Sequence, residues 1–361
     1  MTPHPTDVAV AVPAGPDNLD AAWVTAALDL GQADSVTATP IGAGIAASTL
    51  RLTVRWADPS TQPERFVAKV AATDPDRRRA SAGWRAYEVE AQFYTSLAGQ
   101  LGADIPRCYW AGYDPGTGCY AVVLEDLSAL TPGDDLTGLT IEQAERALIE
   151  LAGVHGPRWD DPALAGFDWL NRYPHGQRGI LHTEMTGAAD LVDSQFADDL
   201  SSEVRATVHR FAEASDRYDR KGFGGPRTIT HGDIRGDNLM FGPDRVCIVD
   251  WQTVQLGAGL ADVAYLLAAA MPTEQRRTSE QHLVRAYHQQ LRAYGVELSW
   301  DACWHEYRRH GLCMLTTALK AIANLAGKPA LEGRARELVR TLVERSAQQA
   351  ADLDSVALLP E

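Results

Sequence analysis

In the first third of the chain, apolar residues fall in short runs rich in β-branched and aromatic side chains, bounded by Gly, Pro and Asp. These runs predict strands over Ser35–Ile41, Ser48–Trp56, Phe66–Ala71, Arg107–Tyr113 and Cys119–Leu124. Asp58-Pro59-Ser60 and Asp114-Pro115-Gly116 read as hairpin connections. A short helix is expected over Leu19–Leu30, capped by Asp17 or Asn18 and stopped by Gly31. One longer helix, Ala80–Leu101, is expected between the third and fourth strands. Residues 1–17, rich in Pro, Ala and Val, read as a loose arm.

After Leu127 the period changes from two to nearly four. Helical patterns cover Ile141–His155, Phe196–Tyr218, Leu260–Ala270, Glu280–Tyr294, Trp300–Leu325 and Leu331–Leu353. A β-like island, Thr228–Asp250, interrupts them. Strands with one helix, followed by a mostly helical half, predict an α+β chain of two lobes rather than an alternating βαβ sheet. The expected divisions are 1–34 as arm and short helix, 35–127 as a β-rich N-lobe, and 128–361 as a helical C-lobe.

Composition narrows the function classes. The chain has 361 residues, 45% hydrophobic and 22% charged, enough to bury a core without covalent staples. A net charge of −15 argues against nucleic acid or an anionic membrane as partner, since both need a basic surface. Five scattered cysteines without a C-x-x-C pair disfavour a disulfide framework or zinc ribbon. The N-terminus has no basic stretch leading into an apolar one, and the apolar run Leu260–Met271 is too short to span a bilayer and contains Asp262. The expectation is a cytoplasmic protein with no evident obligate protein partner. Residues 131–220 hold 17 Asp and Glu against eight Arg and no Lys. That excess could steer a cationic ligand, or it is a solvated helical surface. Trp159, Phe167, Trp169, Tyr173 and Phe196 in the same region could line an apolar pocket or belong to the core. Lysine is scarce: 29 Arg but four Lys, of which Lys69 lies in a predicted strand.

The island carries the densest pattern. It reads His231-Gly232-Asp233, then Asn238, then a hairpin and an apolar strand ending in Asp250-Trp251-Gln252. This resembles the catalytic and metal-binding loops of protein-kinase-like small-molecule phosphotransferases: aminoglycoside phosphotransferases, choline kinases and ecdysteroid-kinase-like enzymes. The Asp-Trp-Gln ending and Asp262-Val263-Ala264-Tyr265 look most like the ecdysteroid-kinase-like branch and its bacterial relatives. The resemblance covers about residues 35–330 and implies a bilobal protein-kinase-like fold, ATP and Mg²⁺ as cofactors, and a small-molecule hydroxylated acceptor.

Phosphoryl transfer makes matching demands: a carboxylate at the acceptor hydroxyl and divalent metal across the phosphates. Asp233 is expected to orient the hydroxyl and accept its proton. Asn238 and Asp250 are expected to bind Mg²⁺. Arg235, two residues after Asp233, is expected to neutralise the transferred phosphoryl group. His231 is expected to brace the loop, as its family counterpart does. His155 and Trp159 read as packing or bracing residues, Asp262 as an anchor of the loop backbone, and Cys247 as core.

A kinase-like N-lobe also needs a lysine on the nucleotide phosphates, held by a helix glutamate. Lys69 in Val67-Ala68-Lys69-Val70 is the candidate. On the following helix, Ala86, Glu90, Phe93, Leu97 and Leu101 share one face, whereas Glu88 lies about 200° from Glu90. Glu90 is therefore the expected partner. Gly42, Gly44 and Ser48 could form a phosphate-covering turn, or an ordinary hairpin. The last strand of the lobe ends in Glu125-Asp126-Leu127, matching the family's hinge; backbone groups around Glu125 and Leu127 would hydrogen-bond adenine. Two readings compete with a small-molecule kinase. An antibiotic O-phosphotransferase is a sub-case of it, and a nucleotide-binding pseudokinase would be a regulatory module. A protein kinase is disfavoured by Gly232, where protein kinases carry Arg.

Overall fold

The computed structural model describes residues 10–41, 47–58, 62–170, 180–221, 225–326 and 331–360. The chain forms two compact units. The first comprises Met1–Gln100, Ile105–Ala129 and Asp250–Thr253; the second comprises Leu101–Asp104, Leu130–Val249 and Val254–Glu361.

The first unit is built on strands β1 (Ala33–Pro40), β2 (Ala47–Trp56), β3 (Arg65–Ala71), β4 (Cys108–Asp114) and β5 (Cys119–Glu125). They form one antiparallel sheet in the order β1-β2-β3-β5-β4. Alternation along β2 and β3 places Leu50, Leu52, Val54, Phe66, Ala68 and Val70 in a common apolar cluster. Helix α1 (Ala21–Leu28) closes that cluster with Val24 and Leu28. Each fully buried side chain of this size contributes about 1.5–3 kcal/mol. The cap of α1 is Asp20, whose side chain accepts from the Trp23 N–H, and the helix stops at Asp29 with φ 51°, so neither the expected cap nor Gly31 sets its ends.

The single helix expected before β4 is two: α2 (Pro75–Gly83) and α3 (Ala86–Ser96). Asp74 caps α2 and Pro75 occupies its first turn. The break comes at Arg85, which adopts φ 54° and pairs with Glu88 in the first turn of α3. A left-handed non-glycine residue leaves little mark on apolar periodicity, so the sequence pattern ran through it.

The second unit contains β6 (Thr131–Pro132), α4 (Ile141–His155), α5 (Ile180–Gln195), α6 (Ser202–Lys221), β7 (Thr228–Thr230), β8 (Leu239–Phe241), β9 (Val246–Ile248) and β10 (Gln255–Gly257). Helices α7 (Gly259–Ala270), α8 (Thr273–Ala293), α9 (Trp300–Arg309), α10 (Cys313–Ala323) and α11 (Gly333–Asp352) follow. A capping box between Thr140 and Gln143 starts α4. Helix α7 is apolar all round and buried along its length, the signature of a central helix. The expected Trp300–Leu325 helix splits at Gly311, where a side chain would meet Ser355 Oγ at 2.5 Å. Helix α5 was not expected, and the helix expected from Phe196 begins at Ser202. Cys247 is fully buried in β9. Among the described residues, no helix is long and apolar enough to cross a membrane.

Candidate active site

In the first unit, β3 turns Phe66, Ala68 and Val70 into the apolar cluster and Lys69 to the opposite face. Lys69 Nζ donates to Glu90 Oε1 of α3 at 2.7 Å and to Asp250 Oδ1 at 2.6 Å. Glu90 has a side chain 2% exposed, and Lys69 15%. The second oxygen of Glu90 accepts from the Tyr120 hydroxyl. Tyr120 stacks on Tyr87 at 4.8 Å, and Tyr87 in turn accepts the Ala72 N–H. Burial on its own would lower the Lys69 pKa. The charges and hydrogen bonds of Asp250 and Glu90 outweigh it and raise the pKa, so the ammonium stays charged. Glu88 pairs with Arg85 instead.

Asp250 adopts φ 69°, a left-handed conformation costly for a residue with a Cβ. Its other oxygen accepts from Gln252 Nε2 at 3.0 Å, and Trp251 stacks on Phe93 of α3 at 4.1 Å. Those contacts hold a short segment from late in the chain within the β-rich unit.

In the second unit, β7 leads into His231-Gly232-Asp233. Gly232 has φ 80°, which a side chain would strain. Asp262, in the first turn of α7, accepts the His231 N–H at 2.6 Å and the Gly232 N–H at 3.1 Å. His155, at the end of α4, is fully buried between Tyr287 and Asp262. His231 Nε2 donates to the Val249 carbonyl at 3.0 Å, and its Nδ1 faces the Asp233 N–H at 3.3 Å. Both ring nitrogens thus serve the backbone, a bracing arrangement.

Asp233 Oδ1 accepts from the Tyr265 hydroxyl at 2.7 Å. Burial, then the Asp233 charge, pushes the Tyr265 pKa well above its ordinary 10.0, so the phenol remains a donor. Asn238 closes a short turn and donates Nδ2 to the Asp233 carbonyl at 2.8 Å. With its nitrogen committed, its amide oxygen is the atom a hard cation would take. Asp250, in the first unit, supplies a carboxylate; a carboxylate or amide oxygen is the kind of hard donor that Mg²⁺ takes, few protein groups at a time together with phosphates and water.

Arg235 Nη1 donates to Asp135 at 2.8 Å and to Asp237 at 3.1 Å, and its Nε lies 3.6 Å from Asp233 Oδ2. Burial opposes its charge, but the three carboxylates more than offset that. Asp135 is fully buried and also accepts the Gly236 N–H at 2.7 Å. Arg345 of α11 donates to the carbonyls of Asp135 and Leu136.

The remaining sequence candidates fall as follows. Ser48 lies in β2 opposite Val70. Glu125 donates its N–H to the Arg107 carbonyl and accepts the Arg107 N–H on its carboxylate, while Leu127 is buried. Gly42 and Gly44 lie outside the described residues, as does Tyr173. Trp169 and Phe196 are buried and Phe167 packs edge-on against Trp169. Three contributors went unread. Tyr120 lies two residues along β5 from Val122, the register partner of Lys69, so strand pairing carried a signal for it. Tyr265 stands three residues after Asp262 on α7, one helical face. Asp135 has no periodic signal, being an irregular-loop residue that meets Arg235 a hundred positions later.

Residues 37–308 match the sequence profile of the Phosphotransferase enzyme family. The chain is similar to choline kinase from Cryptosporidium parvum Iowa II, at 11% identity over 90% of this chain and 92% of that one, with a TM-score of 0.50. It is also similar to the aminoglycoside phosphotransferase APH(2″)-IIIa solved with GDP and kanamycin, at 14% identity over 91% and 97% of the two chains, TM-score 0.53. Among curated proteins it is 24% identical over 216 residues to the uncharacterized oxidoreductase dhs-27 of Caenorhabditis elegans. That match takes in 54% of this chain and spans about a quarter, 26%, of the nematode protein.

Proposed function

The chain belongs to the Phosphotransferase enzyme family, and from that premise we propose that it transfers the γ-phosphate of ATP to a hydroxyl of a small-molecule acceptor. The observation that carries this reading is the Lys69 ammonium clamped by Glu90 and Asp250. A chain that uses Arg almost everywhere keeps a lysine here, as a point charge suited to phosphate oxygens. Lys69 holds nucleotide phosphates while Glu90 fixes the ammonium. Asp233 orients the acceptor hydroxyl and takes its proton. Asn238 and Asp250 hold Mg²⁺, which when bound neutralises charge on the phosphates. Backbone groups near Glu125 and Leu127 hold adenine.

For Arg235 the contacts favour a role other than the one its offset suggested. Its guanidinium is already committed to Asp135 and Asp237, so a phosphate role would require exchanging those partners. We assign it to bracing the loop. Within the superfamily, Asp250-Trp251-Gln252 and Asp262 to Tyr265 support the ecdysteroid-kinase-like branch, so sterols belong among the acceptors tested.

The test is ADP release from Mg·ATP against aminoglycosides, macrolides, choline-like amines, sugars and sterols. An acceptor-dependent rate should appear with one class, and Asp233→Asn should lower it by about 10²–10⁴-fold. Nucleotide binding without acceptor-dependent turnover across the panel would replace the enzyme reading with a regulatory nucleotide-binding module. Turnover indifferent to Asp233→Asn would remove Asp233 from the role of base.

A further inference from the structure

The loop that carries Asp233 is gripped from one helix at two points. Asp262, in the first turn of α7, holds the N–H groups of His231 and Gly232. Tyr265, three residues on and so on the same helical face, reaches the Asp233 side chain itself. Helix α7 is buried along its length, so both grips come from a rigid base.

Asp233 Oδ1 receives the Tyr265 hydroxyl at 2.7 Å. Oδ2 has longer approaches: Asn238 Nδ2 at 3.4 Å and Arg235 Nε at 3.6 Å. A separation of 3.6 Å is not a hydrogen bond. The side chain of Asp233 is 30% exposed, whereas Tyr265 is buried. A carboxylate on a single Cβ rotates about its last bond unless one oxygen is fixed.

We propose that Tyr265 is a positioning residue for Asp233: its hydroxyl captures Oδ1 and thereby turns Oδ2 toward the acceptor hydroxyl. This rests on Asp233 being the base of a phosphotransferase. Without the hydroxyl, Oδ1 loses this bond and the carboxylate samples orientations in which no oxygen is aimed at the acceptor.

The experiment compares Tyr265→Phe with Tyr307→Phe. Each removes one buried hydroxyl from the helical unit; that of Tyr307 bonds Glu280 and Gln349. ADP release from Mg·ATP is measured with water and with the best panel compound as acceptor. Tyr265→Phe should lower kcat by about 10–100-fold, with the KM for Mg·ATP unchanged. Tyr307→Phe should lower the melting temperature and leave kcat alone. Equal kcat for Tyr265→Phe and wild type overturns the proposal. So does a crystal structure of Tyr265→Phe in which the Asp233 carboxylate keeps its wild-type orientation. Wild-type protein that binds Mg·ATP and never releases ADP refutes the phosphotransferase reading instead, and the same crystal structure then decides the Tyr265 contact by itself.

Discussion

The two units hold their charged groups by different means. In the β-rich unit, Lys69, Glu90 and Tyr120 sit on a strand, a helix and a neighbouring strand, and register alone brings them together. In the helical unit, Asp233, Arg235 and Asn238 sit on an irregular loop whose own backbone bonds are few. There the backbone is pinned by buried carboxylates: Asp262 takes two N–H groups and Asp135 takes a third. Regular elements supply backbone partners by default, so side chains are left to deal with one another. An irregular segment must find partners for its backbone first, and acidic side chains provide them. The first arrangement fails by stranding a charge, the second by releasing a loop.

The sharpest way to break the first arrangement is Lys69→Met. It removes the cation and leaves Glu90, 2% exposed, as a buried charge. The expected loss is about 3–5 kcal/mol by denaturant unfolding. Adding Glu90→Gln should recover a large part of it, because the stranded charge goes too. A loss below about 1 kcal/mol would mean that the pair behaves as a surface ion pair, and the contrast between the units would collapse.

The second arrangement is tested by Asp262→Ala. Two buried N–H groups lose their acceptor, at an expected cost of about 2–3 kcal/mol. The distinguishing readout is hydrogen exchange. Amides of His231 and Gly232 should exchange far faster in the variant, while those of β2 and β3 keep their protection relative to global stability. Unchanged protection at His231 and Gly232 would show that the loop does not depend on its carboxylate anchor.

The same division explains what could be read in advance. The five strands are legible because alternation and β-branched runs survive in the sequence, and their observed ends lie within two residues of the expected ones. The Lys69–Glu90 ion pair is legible because helical register separates Glu90 from Glu88. The break at Arg85 is not, since nothing in its composition announces a left-handed residue. Nor is the long-range partner of Arg235: Asp135 reaches the loop from a hundred positions away, through irregular backbone that carries no period. Motif and register single out the candidate residues. The packing that holds them is set by tertiary contacts over long sequence separation.

The register argument itself can be probed at the residue it set aside. Glu88 lies two residues from Glu90 in sequence but is partly exposed and pairs with Arg85 at 2.8 Å. Hydrogen bonds from the Arg85 guanidinium hold its carboxyl below the usual 4.5, against a smaller opposing effect of burial. A carboxylate with a depressed folded pKa adds stability above its unfolded pKa and loses it as pH falls through the folded value. Glu88→Gln should therefore cost only about 0.2–1 kcal/mol at neutral pH, the range of exposed pairs. The gap from wild type should close as pH drops below about 4.5, measured by thermal unfolding across pH. A neutral-pH loss as large as that of Lys69→Met would mean that Glu88 shares the structural duty assigned to Glu90, and that helical register does not separate the two.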